Sequence, residues 1–212
     1  MAVMLLSAVI TIAALAVVLW AEARTHATLI RIAKPIASTG FILAALSMDA
    51  MDSTYGKAVL TALVLSWIGD VCLLSRRQGW FLAGLGAFLL GHVAFGAAFW
   101  VHGTAPAWFL GAAMVLLAPA LVVRHWLMPH VPGGMRKPVD AYITVITVMV
   151  ALAVAATAAG GTVWIAIGAI AFYLSDLSVA RDRFVRREYS NRLWGLPLYY
   201  VAQLILAGTI GA

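Results

Sequence analysis

The stretch MAVMLLSAVITIAALAVVLW, residues 1–20, decides the fold class because it contains no charged residue. Crossing the hydrocarbon core of a bilayer takes roughly 20 mainly apolar residues in a helix. Ala21-Glu22-Ala23 resembles a signal-peptide cleavage site, but no basic residue precedes Trp20 and the apolar run is long enough to span. We therefore expect the first segment to remain as a transmembrane helix.

Similar apolar stretches recur along the whole chain, separated by short connectors. Of the 212 residues, 64% are hydrophobic and only 10% are charged, a composition that a soluble core does not reach. The sequence predicts an all-α, polytopic membrane helical bundle of about eight transmembrane helices, with residues 1–212 forming a single transmembrane domain. The predicted spans are residues 1–20, 34–47 (longer if 29–32 join it), 57–75, 80–101, 105–123, 138–157, 162–180 and 194–210.

The basic residues are distributed unevenly between the connectors. Of the 14 lysines and arginines, all but Lys57 lie on odd-numbered connectors, and these thirteen are Arg24, Arg31, Lys34, Arg76, Arg77, Arg124, Arg136, Lys137, Arg181, Arg183, Arg186, Arg187 and Arg192. Because cytoplasmic loops are enriched in positive charge, both termini are predicted to be extracytoplasmic. A bacterial inner membrane fits so compact a chain.

The net charge of +6 is consistent with contact between basic connectors and anionic lipid heads. The chain carries no nucleic-acid-binding motif, so nucleic acid is not an expected partner.

Two dipeptides in the first half of the chain have counterparts at similar spacing in the second half. Lys34-Pro35 and Lys137-Pro138 are 103 residues apart, and Gly69-Asp70 and Ser175-Asp176 are 106 residues apart. A parallel 4+4 pseudo-repeat would explain both spacings and would turn the two aspartates toward one central cavity. Coincidence is the alternative, since proline is common in the first turn of a helix.

Ionisable side chains within the membrane are costly and therefore mark functional candidates. Asp70 and Asp176 are predicted just below the cytoplasmic surface, in one layer with Asp140 and Lys34, while His92 lies about 18 Å in from Trp80. The alternative is structural: the aspartates pair with basic neighbours, Lys34 and Asp140 reach out to water, and His92 is a core residue.

Two carboxyl groups in an apolar cavity are suited to acid–base hydrolysis, because one can hold a proton while the other acts as a base. On the last helix, Tyr200 and Gln203 share a face and are candidates to position a water molecule. Trp67 lies three residues before Asp70, where it would stabilise a cation or simply pack. His92 with two carboxylates is a weak metal site without close ligand spacing, so no metal or cofactor is expected.

Five segments in a fixed order resemble the YhhN-like lysoplasmalogenase family, whose members cleave the vinyl-ether bond of lysoplasmalogens. The segments are Lys34-Pro35, Ser66-Trp67-Ile68-Gly69-Asp70, Gly86-x-Phe88-x-x-x-His92, Phe172-Tyr173-Leu174-Ser175-Asp176 running on to Arg183-Phe184, and Tyr199-Tyr200-Val201-Ala202-Gln203. The resemblance implies an eight-helix fold and makes Asp70 and Asp176 the expected catalytic residues.

The function expected from these features is hydrolysis of choline or ethanolamine lysoplasmalogens to a fatty aldehyde and a glycerophospho head group. The partners are then the lysophospholipid substrate, water and membrane lipids, with Lys34 and the arginines of connector seven at the level of the phosphate. The alternative is a proton-coupled transporter or lipid-binding membrane protein that uses the same carboxylates. The sequence leaves the head group and the oligomeric state open.

Overall fold

The computed structural model describes residues 2–75 and 77–211, and Met1, Arg76 and Ala212 lie outside the described residues. Arg76, counted above among the basic residues of connector three, is one of these. Within the described ranges, eight helices are long and apolar enough to cross a membrane, which confirms the predicted bundle. They are α1 Ala2–Ala23, α2 Ala27–Leu46, α3 Thr54–Cys72, α4 Gln78–His102, α5 Pro106–Leu127, α6 Arg136–Ala158, α7 Val163–Ala180 and α8 Tyr189–Gly208.

Six of the helices form a closed ring in the order α2, α3, α4, α6, α7 and α8, with α8 returning to α2. The other two pack outside it, α1 against α2 and α8, and α5 against α6. Only Ala120 and Leu127 of α5 are buried, so most of this helix faces outward. The exposed surface is rich in leucine, valine and tryptophan, as expected for contact with lipid.

Helix α2 begins earlier than the sequence predicted. It starts at Ala27, so residues 29–32 join it and Lys34 lies about two turns inside the helix instead of at its start. Pro35 therefore also lies within the helix. The longer alternative, with residues 29–32 in the helix, is thus confirmed. The prediction that Lys34 lies at the helix start was wrong, because Lys34 was taken for a connector charge although it is buried and paired.

Candidate active site

The ring encloses a cavity of about 530 Å³ that is lined by both aspartates. Around them the wall is mainly apolar, and Phe88, Ile143 and Ile146 belong to it. The lining also includes residues from the end of α7 and the start of α8, so the cavity opens at the end of the bundle that carries connectors one, three, five and seven.

Asp70, near the end of α3, is surrounded by hydrogen-bond donors. The Lys34 ammonium lies 3.1 Å from its Oδ1, while the hydroxyls of Ser38 and Tyr199 donate to Oδ2 at 2.6 and 2.7 Å. Lys34 is only 6% exposed and Asp70 only 2%. Two hydroxyl donors and one buried ammonium group therefore bind this carboxyl group.

Asp176, on α7, has a different set of neighbours. The Tyr142 hydroxyl donates to its Oδ2 at 2.6 Å, and His92 Nε2 lies 3.4 Å from the same oxygen. Among the described residues, no lysine or arginine lies within ion-pair distance of Asp176. The two carboxyl groups therefore share one cavity but differ in the charge beside them.

The His92 ring is almost completely buried and is held by its own helix. Its Nδ1 lies 2.6 Å from the Phe88 carbonyl oxygen, and because a carbonyl oxygen only accepts, Nδ1 carries the hydrogen. In the neutral ring, Nε2 then bears the lone pair, and it makes no hydrogen bond to a described protein atom. The nearest charged group to this free nitrogen is the Asp176 carboxyl.

The adjacent residues Tyr199 and Tyr200 of α8 bind different partners. Tyr199 contacts Asp70, whereas the Tyr200 hydroxyl lies 3.1 Å from Ser38 Oγ and 3.3 Å from the Lys34 carbonyl oxygen. Gln203 is fully buried, and neither its amide nitrogen nor its amide oxygen has a hydrogen-bond partner among the described residues. Tyr200 thus contacts Lys34 and Ser38 but is not part of the cavity lining.

The predicted site residues Trp67 and Asp140 bind partners that lie outside the cavity lining. The Trp67 indole donates to Thr39 at 3.2 Å and is not part of the cavity lining. Asp140 is partly exposed, pairs with Arg124 at 2.8 Å and is likewise not part of the lining. Neither residue is therefore placed to act on a molecule bound between the aspartates.

A model of the YhhN family matches residues 29–210, which is most of the chain. The chain belongs to the YhhN family. Among its relatives is the lysoplasmalogenase TMEM86A of Bos taurus, 30% identical over a segment that covers 70% of this chain and 63% of that protein. A lysoplasmalogenase of Mycobacterium tuberculosis is 32% identical over 77% of this chain and 63% of that protein.

The human lysoplasmalogenase TMEM86B is 30% identical over 72% of this chain and 62% of its own length. The matched part of this YhhN chain thus spans less than two thirds of the relatives it resembles. No solved structure matches the chain significantly.

Two site residues of this YhhN chain were missed at the level of sequence. Ser38 lies one turn after Lys34, so the spacing placed it on the same helix face and was a usable signal. Tyr142 is 104 residues after Ser38, close to the spacings of 103 and 106 residues that relate the two halves of the chain. Applying the two spacings, 103 and 106 residues, to Ser38 would have drawn attention to residues 141–144, which include Tyr142.

The contacts around the aspartates relate the two halves of the chain. Asp70 on α3 is contacted from α2 and α8, and Asp176 on α7 is contacted from α6 and α4. His92 and Tyr199, the contacts from α4 and α8, are 107 residues apart. This is the arrangement that a parallel repeat of four helices predicts. The lysines break the symmetry, because Lys34 is buried against Asp70 whereas Lys137 is exposed.

A three-ligand metal site was weighed from the sequence as an alternative for His92 and the two carboxylates. In residues 2–75 and 77–211, no group of three or more histidine, cysteine, aspartate or glutamate side chains is arranged to hold a metal ion.

Proposed function

We propose that the protein hydrolyses the vinyl-ether bond of lysoplasmalogens, releasing a fatty aldehyde and a glycerophospho head group. The observation that carries this proposal is the pair of membrane-embedded aspartates in one cavity, of which only Asp70 pairs with a lysine or arginine among the described residues. The relatives named lysoplasmalogenase support this class of substrate.

The reaction needs a proton donor and a group that activates water. A vinyl ether is protonated on the double-bond carbon that is not bonded to oxygen, which leaves an oxocarbenium ion. Water adds to that cation and loses a proton, and the resulting hemiacetal separates into an aldehyde and an alcohol. General acids and bases of this kind typically contribute a hundredfold or more each to the rate.

The surroundings of the two carboxyl groups suggest how these roles are divided. Asp176 has no lysine or arginine beside it in the described part of the chain, and an isolated carboxylate is costly in an apolar site, so it is the candidate proton donor. A proton on Asp176 also faces the free Nε2 of His92. Asp70, paired with the Lys34 ammonium, is the candidate base and the candidate negative charge that stabilises the oxocarbenium ion.

The cavity is of a suitable size and polarity for part of a lysolipid. Its volume of about 530 Å³ lies within the usual range for small-molecule sites. The apolar side chains of Phe88, Ile143 and Ile146 line the wall where an alkenyl chain would lie, whereas the polar groups cluster around the aspartates. The reacting bond would then sit at the boundary between the two surfaces.

Purified protein supplied with a vinyl-ether lysolipid and with its saturated ether analogue tests the proposal. Aldehyde is expected from the first lipid only, because carbon protonation requires the double bond. Asp70→Asn and Asp176→Asn should each reduce the turnover by at least about a hundredfold. Asp140→Asn is the matched control, since Asp140 lies outside the cavity lining, and it should keep the wild-type rate.

Three results would contradict the proposal. One is release of aldehyde at the wild-type rate by either cavity variant, which would leave that aspartate a structural role. Another is rapid cleavage of the acyl analogue, because an ester needs an activated nucleophile and oxyanion donors instead. The third is proton or lipid flux in reconstituted vesicles without any turnover, which would favour a transporter.

A further inference from the structure

The segment that follows α7 places several arginines at the mouth of the cavity, and three of them are neutralised by carboxylates. Arg181 and Arg186 both bind Glu188 at 2.8 Å, and Arg192 binds Asp182 at 2.7 Å. Their charge is therefore largely compensated within the protein.

Arg183 lies in the same segment but has a different partner. Its guanidinium carbon lies 4.1 Å from the centre of the Phe81 ring, and Phe81 is buried and packs edge-on against Phe184. Among the described residues, no carboxylate lies within ion-pair distance of Arg183 or of Arg187. A guanidinium stacked on a ring keeps the N–H groups at its edge free to bind an anion.

Arg183 is also placed at a useful distance from the reacting groups. It follows Asp176 by seven residues of continuous helix, of which Arg181–Val185 form a π-helical turn, a spacing of about 10 Å along the axis. Both residues line the same cavity. A glycerol backbone with a phosphate at one end and a vinyl ether at the other fits between them.

We propose that Arg183, assisted by Arg187, binds the phosphate of the lysophospholipid and so places its vinyl ether between Asp70 and Asp176. This inference rests on the proposed function of the same cavity. Lys34, expected from the sequence at phosphate level, has its ammonium group bound to Asp70 deep in the site. Arginine also suits this role better than lysine, because its planar fork binds two phosphate oxygens at once.

Binding of a ligand that cannot be cleaved tests this assignment independently of turnover. The ligands are a saturated-ether lysophospholipid and the alkyl glycerol that lacks its phosphate, each titrated into protein in a neutral detergent. Arg183→Gln should weaken binding of the phosphorylated ligand by about tenfold or more, as expected for a charge-assisted hydrogen bond. Binding of the alkyl glycerol should stay unchanged, which also shows that the variant is folded.

Arg186→Gln is the matched control, because it removes the same charge only three residues after Arg183. The Arg186 side chain is 73% exposed and is paired with Glu188. It should leave both affinities unchanged. Equal weakening of the two ligands by Arg183→Gln, or no weakening at all, would overturn the assignment. An equal effect of Arg186→Gln on the phosphorylated ligand would also overturn it and would indicate a general attraction to lipid phosphate.

The outcomes separate this inference from the proposed function. Phosphate-dependent binding through Arg183 without cleavage of a vinyl ether would overturn the proposed activity and leave the anion site. Cleavage of the vinyl ether with no dependence on Arg183 would overturn the anion site and leave the proposed activity.

Discussion

The Lys34–Asp70 ion pair joins α2 to α3 inside the bundle, where both side chains are almost completely buried. The desolvation of two charges is offset by their attraction and by the hydroxyls of Ser38 and Tyr199. Removal of one partner leaves the other charged and buried. The pair is thus expected to affect both folding and chemistry, and the two effects can be separated by substitution.

Lys34→Met should destabilise the protein by about 3–5 kcal/mol, because it leaves the Asp70 carboxylate buried without its cationic partner. The double variant Lys34→Met/Asp70→Asn should recover much of that loss while remaining inactive. Thermal unfolding in detergent measures both effects. Lys57→Met, at an exposed position, serves as the control and should unfold like the wild type. A Lys34→Met protein as stable as the wild type would show that the pair contributes little to folding.

Tyr142 should influence the rate through Asp176. In the described part of the chain, the Tyr142 hydroxyl is the one group that donates a hydrogen bond to the Asp176 carboxyl group. Tyr142→Phe removes a hydrogen bond that becomes charge-assisted as Asp176 gives up its proton, so kcat should fall by about tenfold or more. KM should change little, because the phosphate contact is untouched. Aldehyde release at varied substrate concentration separates the two constants.

The control for Tyr142 is Tyr189→Phe, which removes a hydroxyl bonded to the Leu19 carbonyl oxygen outside the cavity. It should leave kcat unchanged. A Tyr142→Phe enzyme with unaltered kcat and raised KM would assign the residue to substrate binding instead of to the positioning of Asp176.

At the scale of the elements, α3 and α4 approach closely where Gly69 faces Phe88. A Cβ atom added at Gly69 would lie 2.5 to 2.9 Å from three atoms of the Phe88 ring. Phe88 lines the cavity, and its backbone carbonyl holds the His92 ring. The small residue therefore sets the spacing of two helices that both contribute to the site.

Gly69→Ala should push these helices apart and so lower both the unfolding temperature and the turnover. The comparison is Gly86→Ala on α4, where an added Cβ meets nothing within 4 Å and should be tolerated. Thermal unfolding and aldehyde release are measured for both variants. Equal behaviour of the two would mean that the Phe88 ring moves aside without cost.

Hydropathy located all eight helices because the length and composition of each are fixed by the bilayer. The same signal misplaced the start of α2, since a buried charge in an ion pair looks like a connector charge until its partner is known. It also gave no reason to prefer Tyr142 to Asp140, because the rotation of α6 relative to α7 depends on packing between distant segments. Sequence thus predicted the aspartates but not the contacts that distinguish them.

At the scale of the whole molecule, the ring and the charges together determine a direction across the membrane. The cavity mouth and the arginines after α7 lie at the same end as connectors one, three and five. Positive connectors favour the cytoplasmic side, so we expect the cavity to open toward the cytoplasm. We also propose that the membrane is the inner membrane of a bacterium. A lysolipid would then enter with its head group at that surface.

Single cysteines test this orientation, because Cys72 is the one cysteine of the chain and is buried. In a Cys72→Ser background, cysteines placed at Asp52 and Ala159, both exposed, should react with a membrane-impermeant thiol reagent in intact cells. Cysteines at His26 and Gly133, exposed at the other end of the bundle, should react only after the cells are opened. The reverse pattern would invert the orientation, and opposite results for Asp52 and Ala159 would contradict eight spans.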